Sequence, residues 1–444
     1  MAQEVRLSRR AALLLPLAAT GCVTIDNWFG TKKTPLTGQR VAIIAAGHGL
    51  TVDNPPTRKV ELPPAADNPD WTQSGGNPAH ASGHPALASQ LTEAWSVKLG
   101  APAGYRRRLT ATPVVGSGRV FAMDVNAVVS AFALKTGARL WSVKTALPDD
   151  HSTNLGGGLA VDGDTLYVST GLDRLIALDA RSGKLRWRQQ LPAPARAAPT
   201  IAGELLFLPT LDQQVLAMSR DDGARQWAHQ GVTAPTVMLG LPSPAFADGL
   251  VVAGFDSGEL VCLRAASGSV IWSDSVASRG GGHISLADFT SIGGLPVLAD
   301  GVVYAVSLGG LFVALDLRTG RRLWSREIAS DQTPWLAGEW LFVMTPDQQL
   351  VCLNRRDGQV AWVTQLPLYR NEKTKEDPVT WLGPTLAGER LIVSGNGREA
   401  LSVNPYNGAI LGRQKLPAPA PLPAVVAGRT MLQVTEDATL LALR

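Results

Sequence analysis

Cysteine is scarce in this 444-residue chain: Cys22, Cys262 and Cys352 are the only three, no two adjacent and none in a Cys-x-x-Cys spacing. That excludes a disulfide framework and the closed thiolate metal sites that need paired cysteines. Six histidines (His48, His80, His84, His151, His229 and His283) form no His-x-His cluster, and the four-residue spacing of His80 and His84 has neither a helix nor a third ligand beside it. Charge is thin as well. The formal net charge is +4, and without the first 21 residues it is 38 basic against 36 acidic, too small and too evenly spread for a nucleic-acid surface. No apolar run approaches the roughly 20 residues of a membrane-spanning helix. No stretch holds a 3.6-residue period for ten residues, so helices are not expected.

What is present begins with an address. Arg6, Arg9 and Arg10 precede a short apolar run over 11–19, and Ala19-Thr20-Gly21 leads into Cys22. This anatomy is that of an export signal. The lone cysteine after Gly21 resembles a bacterial lipobox, which implies a signal peptide over 1–21 and a lipid on Cys22. Two or more acyl chains there would give stable membrane attachment. Residues 22–70, broken by Pro35, Pro55, Pro56, Pro63 and Pro64, lose all periodicity. They read as an extended tether or as an arm packed along the body, with the folded part at 71–444.

From there one phrase recurs. A polar turn ends in glycine and a tryptophan follows four residues later: Gly137 and Trp141, Gly183 and Trp187, Gly223 and Trp227, Gly268 and Trp272, Gly320 and Trp324, Gly358 and Trp362. Gly408 keeps the turn, with Gly412 at the tryptophan position, and Trp95 stands one repeat before the first full copy. The landmarks fall 38 to 52 residues apart, a period that marks solenoids and propellers. Within one copy, 159–161, 165–170, 175–178 and 184–188 read as four short strands separated by Asp-Gly and Ser-Gly turns. The third is apolar throughout and so buried on both faces. The chain stops after three strands of an eighth unit, and the Trp95 segment supplies the fourth. The expectation is an all-β, eight-bladed propeller of four-stranded antiparallel blades, closed by pairing N-terminal with C-terminal strands.

Leu315-Asp316-Leu-Arg-Thr319-Gly320-Arg-Arg-Leu-Trp324 is similar to the pyrroloquinoline-quinone-type propeller repeat, in which the tryptophan docks between blades. The resemblance implies the fold over about residues 71 to 444 without choosing between enzymes and scaffolds. Quinoprotein dehydrogenases of this type carry an adjacent cysteine pair and carboxylate and asparagine ligands to calcium, and this sequence has no adjacent cysteines. Cys262 and Cys352, on equivalent third strands, read as buried small hydrophobes. Asp149-Asp150-His151 reads as a solvated loop, and Gly156–158 and Gly280–282 as flexible connections between blades. No catalytic residue, cofactor or metal site stands out.

An exported ring with a lipid anchor resembles the BamB-type lipoproteins of the outer-membrane β-barrel assembly machinery. The resemblance rests on Cys22, on Trp71-Thr-Gln-Ser-Gly-Gly-Asn-Pro-Ala-His80 and on the eight repeats. It implies a non-catalytic scaffold at the periplasmic face of the outer membrane, bound to the central barrel subunit BamA and aiding insertion of outer-membrane proteins. Two long connections match the family's partner-binding loops and nominate Val237, Met238 and Leu239 in the first, Asp288 and Phe289 in the second. The alternatives are a quinone-dependent propeller dehydrogenase and another periplasmic binding module.

Overall fold

The computed structural model describes residues 50–444, apart from 54–58, 106, 148–156, 235, 237, 239 and 278–289. Every regular element among them is a strand. Eight four-stranded antiparallel sheets follow one another along the chain. Blades 1 to 7 occupy 114–144, 157–190, 200–230, 245–275, 297–326, 335–365 and 381–415, and a small hairpin, Tyr369–Asn371 with Glu376–Pro378, stands between blades 6 and 7. Blade 8 takes its three inner strands, Val425–Ala427, Thr430–Val434 and Thr439–Leu443, from the C-terminus and its outer strand, Glu93–Lys98, from the other end of the chain. Trp95 pairs with Ala442 and Lys98 with Thr439. The ring closes as the missing fourth strand demanded.

Burial follows position within the blade. Third strands such as Arg174–Asp179 are buried at every interior residue, because blades stack on both faces. Outer strands such as Leu185–Gln190 are exposed at alternate positions.

The wedge between neighbouring blades is filled by the repeated tryptophan. Trp141 donates its indole N–H to Ala180 of the next blade at 3.1 Å, Trp272 to Leu317 at 2.8 Å and Trp362 to Pro405 at 3.0 Å. Trp187, Trp227, Trp324 and Trp95 do the same to Arg220, Ala265, Arg355 and Leu134. The indole lies on the glycine of the receiving turn. A Cβ on Gly320 would stand 2.6 Å from Trp272, and φ there is +70°, so glycine is needed both for the backbone and for the close approach. Across its own blade each tryptophan faces a small residue: Ala131, Ala177, Ala217, Cys262, Ala314, Cys352 or Ala442. Both cysteines therefore occupy an alanine slot. They are free and fully buried, and burial pushes the Cys262 thiol up to about 12 and Cys352 well above its ordinary value, which leaves both unreactive.

Of the two readings open for residues 22–70, the described part is a packed arm. Val60 is buried between blades 6 and 7, and Asp53 pairs with Arg326 of blade 5. The chain then crosses the ring's axis and meets the inner strands in order. Asn68 bonds Gly428 and Val426 of blade 8, Trp71 pairs with Val115 of blade 1, and Thr72 accepts from Val161 of blade 2. The Gln73 side chain accepts from Ile201 of blade 3, Pro78 from Phe246 of blade 4 and Ala79 from Leu298 of blade 5. Gly83 accepts from the Trp335 indole of blade 6, and Pro85 from Gly388 of blade 7. Trp71 and Trp335 stack at 6.1 Å. The arm thus satisfies channel-facing backbone groups that inner strands otherwise leave bare. It does so at the end carrying the first hairpin turn of each blade, where Ser117 donates to Asp70.

Two outcomes follow. Trp272→Ala opens a wedge and is expected to cost about 3–5 kcal/mol, seen as a lower denaturant midpoint, whereas Gly412→Ala, with nothing within 4 Å of the added carbon, leaves the midpoint nearly unchanged. His80 is buried in the arm, its Nδ1 bonded to the Pro296 carbonyl and its Nε2 unpartnered, and burial lowers its pKa to about 4. The folded-state value lies below the unfolded one, so stability is whole above pH 6.5 and falls as the pH drops toward 4, with a slope from this group of about 1.4 kcal/mol per pH unit. His80→Asn, which tolerates the local φ of +58°, should flatten that slope in unfolding curves taken across the range.

Candidate functional site: the face of inter-blade connections

In each blade the first and third turns lie at one end and the second turn and the inter-blade connection at the other. The arm covers the axis at the first end, so the long connections gather on the opposite face. Two of them are the nominated loops: 231–244 joins blade 3 to blade 4, and 276–296 joins blade 4 to blade 5. Val237, Leu239, Asp288 and Phe289 lie outside the described residues, as do Cys22, Asp149, Asp150, His151 and Gly280–282. Met238 is described, and it leads to the root of the site.

That root is Asp256, a buried carboxylate in the second turn of blade 4. Its Oδ1 accepts from the Met238 backbone N–H at 3.3 Å and from the Ser291 hydroxyl at 2.6 Å, and its carbonyl accepts from Thr290 at 3.3 Å. Its Oδ2 accepts from the Gln213 amide at 2.9 Å, while its own N–H donates back to Gln213 Oε1 at 3.1 Å. One side chain thus ties the first loop, the second loop and the turn of blade 3 together. Gln213 holds a φ of +63° in that turn. The geometry fits the chemistry: a buried carboxylate persists where several donors converge on it. Ile292 donates to the Phe255 carbonyl at 3.2 Å, and Val232 to Glu259 Oε2 at 2.8 Å, fixing each loop at a second point.

The preceding connection, 191–199, is held just as firmly. Pro194 accepts from Leu211, Ala198 accepts from Ser243 at 2.8 Å, and Thr200 donates to Pro244 at 2.5 Å. The described roots of three consecutive connections are therefore tied to one another. The expectation of a flexible glycine connection fails where it can be seen. Gly157 and Gly158 begin the inner strand of blade 2, and a Cβ on Gly158 would stand 2.6 Å from that of Ala198. Glycine there permits close approach of neighbouring blades.

Elsewhere among the described residues the histidines do not gather into a catalytic grouping. His80 and His84 are structural pins: His84 accepts from the Glu389 N–H at 3.1 Å, and its other ring nitrogen bonds the Pro63 carbonyl at 2.8 Å. Among the described residues no three or more His, Cys, Asp or Glu side chains gather to hold a metal ion. The cysteines face tryptophans inside two blades and do not fit a role over a quinone.

A family model described as outer membrane protein assembly factor BamB matches residues 125–364, more than half of the chain. The chain belongs to the BamB family. Outer membrane protein assembly factor BamB of Yersinia pestis is 29% identical over 304 residues, 67% of this chain and 76% of its own length. That of Salmonella typhimurium is 26% identical over 79% of this chain and 88% of its own. Among solved structures, BamB from Moraxella catarrhalis superposes with a TM-score of 0.65 at 21% identity, covering 80% of this chain and all of that one. A europium-containing methanol dehydrogenase superposes equally well, with a TM-score of 0.66 at 14% identity over 82% of this chain and 89% of that one. These likenesses establish the ring and do not separate scaffold from enzyme. In this BamB-family chain the nominated loops emerge side by side from Asp256. Neither Asp256 nor Gln213 was singled out from the sequence.

Asp256→Ala removes the common root and leaves the Gln213 amide and the Ser291 hydroxyl without their acceptor, at a cost of about 1–3 kcal/mol. Hydrogen exchange should quicken together in 231–244 and 276–296 while blades 6 to 8 keep their protection.

Proposed function

We propose that this chain is a non-catalytic scaffold of the outer-membrane β-barrel assembly machinery. Lipid on Cys22 holds it to the periplasmic face of the outer membrane, and the ring grips the periplasmic part of the central barrel subunit, BamA, to aid insertion of outer-membrane proteins. The observation that carries this reading is family membership over more than half of the chain. The geometry supports it: two long connections emerge side by side from one buried carboxylate, on the face away from the arm. Loops anchored at their roots on a rigid ring present side chains at little entropic cost to binding. Val237, Met238 and Leu239 supply apolar contact in the first loop, and Asp288 and Phe289 a charge and a ring in the second. The N-terminal 49 residues would carry the signal and the link to the lipid.

The second reading, a quinone-dependent dehydrogenase, is favoured by the likeness to methanol dehydrogenase. It needs side chains to hold the cofactor, and the cysteine placement speaks against it. Cross-linking in cells followed by purification separates the two. The scaffold reading expects the central barrel subunit to be recovered with the wild-type ring and lost from a Val237→Asp, Leu239→Asp variant that still folds. Stoichiometric quinone and calcium uptake by a ring that recovers no assembly partner would sink it. Separately, Cys22→Ala should lose labelled fatty acid and leave the membrane fraction.

A further inference from the structure

Seven wedges between blades are plugged by an indole, and the one between blades 7 and 8 is not. The plug position on the outer strand of blade 7, Ile410–Lys415, is Gly412, exposed where every plug tryptophan is buried or half-buried. Neither backbone nor packing asks for glycine there. Its φ lies outside the left-handed region, unlike that of Gly408, and an added Cβ would meet nothing within 4 Å. Its cross-strand partner, Ser402, is small like the residues opposite the seven tryptophans, yet half-buried where they are fully buried. A glycine inside a strand forgoes packing and often marks the close approach of another group.

The facing wall is shaped for an indole. Ala442 of blade 8 faces Trp95 as Ala177 of blade 2 faces Trp187, so Leu441 and Leu443 stand where Ile176 and Leu178 stand. Trp141 packs against the cluster that holds Ile176 and Leu178. Leu441 and Leu443 instead border a groove of about 540 Å³, with Gln414, Leu416 and Pro417 from the blade 7 side and Ser96 from the outer strand of blade 8. Gln414 lies two residues beyond Gly412, on the same face of its strand. Leu87 and Leu91 of the incoming chain pack on the same cluster, and the groove is the space they leave. Both outer strands line it, so it opens on the circumference of the ring. In the filled wedges the indole N–H goes to a backbone carbonyl beside the receiving turn. Blade 8 has no such turn, and Glu93 and Thr439 supply acceptors at the border of the groove instead.

We propose that the wedge between blades 7 and 8 is a binding site for a tryptophan side chain carried on an extended segment of a protein partner. The ring itself identifies the occupant. Seven times over, this geometry closes on an indole with its N–H bonded, and here the chain builds the walls without the plug. A large flat ring with one donor gains most from a narrow apolar groove that offers an acceptor. The groove opens outward, so its occupant arrives from outside on a chain. The site lies across the ring from the loops rooted at Asp256, and it goes beyond the scaffold reading without depending on it.

The test uses full-length protein as wild type, Gly412→Trp and Ser96→Trp, which plug the groove from blade 7 and from blade 8. The probes are the capped peptide Gly-Ser-Trp-Ser-Gly, its Gly-Ser-Leu-Ser-Gly counterpart and free indole, titrated by ligand-observed NMR beside thermal unfolding of each ring alone. Wild type should bind the tryptophan peptide at least about tenfold tighter than the leucine peptide, and each substitution should weaken that binding at least about tenfold. Gly412→Trp should also raise the Tm of the free ring, because the indole it adds is taken out of water. If one substitution unfolds the ring, the other carries the comparison. No binding of the tryptophan peptide by wild type, equal affinity for the two peptides, or undiminished binding by the plugged rings would overturn the proposal. A Tm lowered by both substitutions would overturn it too, since the wedge would then have no room for an indole. Free indole binding as tightly as the peptide would overturn the protein partner in favour of a small aromatic molecule. None of these outcomes bears on recovery of the central barrel subunit, which tests the scaffold reading separately.

Discussion

Each filled wedge between blades is closed by an indole lying flat on a glycine, and almost everything else in the ring depends on that contact. A twisted four-stranded blade leaves a gap toward its neighbour that widens outward, and a large flat ring with a single donor fills it. The glycine on the receiving turn has a positive φ and no side chain, so the indole settles on bare backbone and gives its N–H to a carbonyl of the same turn. The donor and the receiver belong to different blades, yet each blade carries both. One short phrase repeated along the sequence therefore makes the contact seven times over. The eighth wedge lacks the ring at Gly412 and also lacks an ordinary receiving turn, because the third strand of blade 8 ends at the C-terminus and its outer strand arrives from residue 93. The missing tryptophan and the missing turn are two sides of one event, the closure of the ring.

Closure alone leaves a second set of bare edges, those of the inner strands around the axis. The arm meets them one blade at a time, from blade 8 through blade 1 to blade 7, before the chain turns outward to become the outer strand of blade 8. The path makes the two ends of the ring unequal. One mouth is spanned by the chain's own backbone and pinned by His80, His84 and the Trp71–Trp335 stack. The other face carries the long connections.

These layers differ in how plainly the sequence carries them. The blades were legible because their signals are local: a glycine and a tryptophan four residues apart, and apolar runs bounded by turns. The closure was legible as a shortfall, three strands at one end and a spare one at the other. The arm was not, since its eight partners are separate strands scattered over more than 300 residues and no periodicity ties Gln73 to Ile201 or Pro85 to Gly388. Gly157 and Gly158 read as part of a flexible connection between blades because the reason for the glycine at 158, Ala198 pressed against it, lies in another blade. Nothing local to Asp256 or Gln213 marks them either, for the same reason. Their meaning is in which loops they bring together.

The same scaffold superposes on quinone enzymes and on assembly factors, so the ring does not decide what is done with it. Where a quinoprotein needs cysteines facing a cofactor, this chain sets its two buried cysteines opposite Trp272 and Trp362, in slots that other blades fill with alanine. A buried carboxylate, Asp256, takes three hydrogen bonds and ties the roots of two neighbouring loops together.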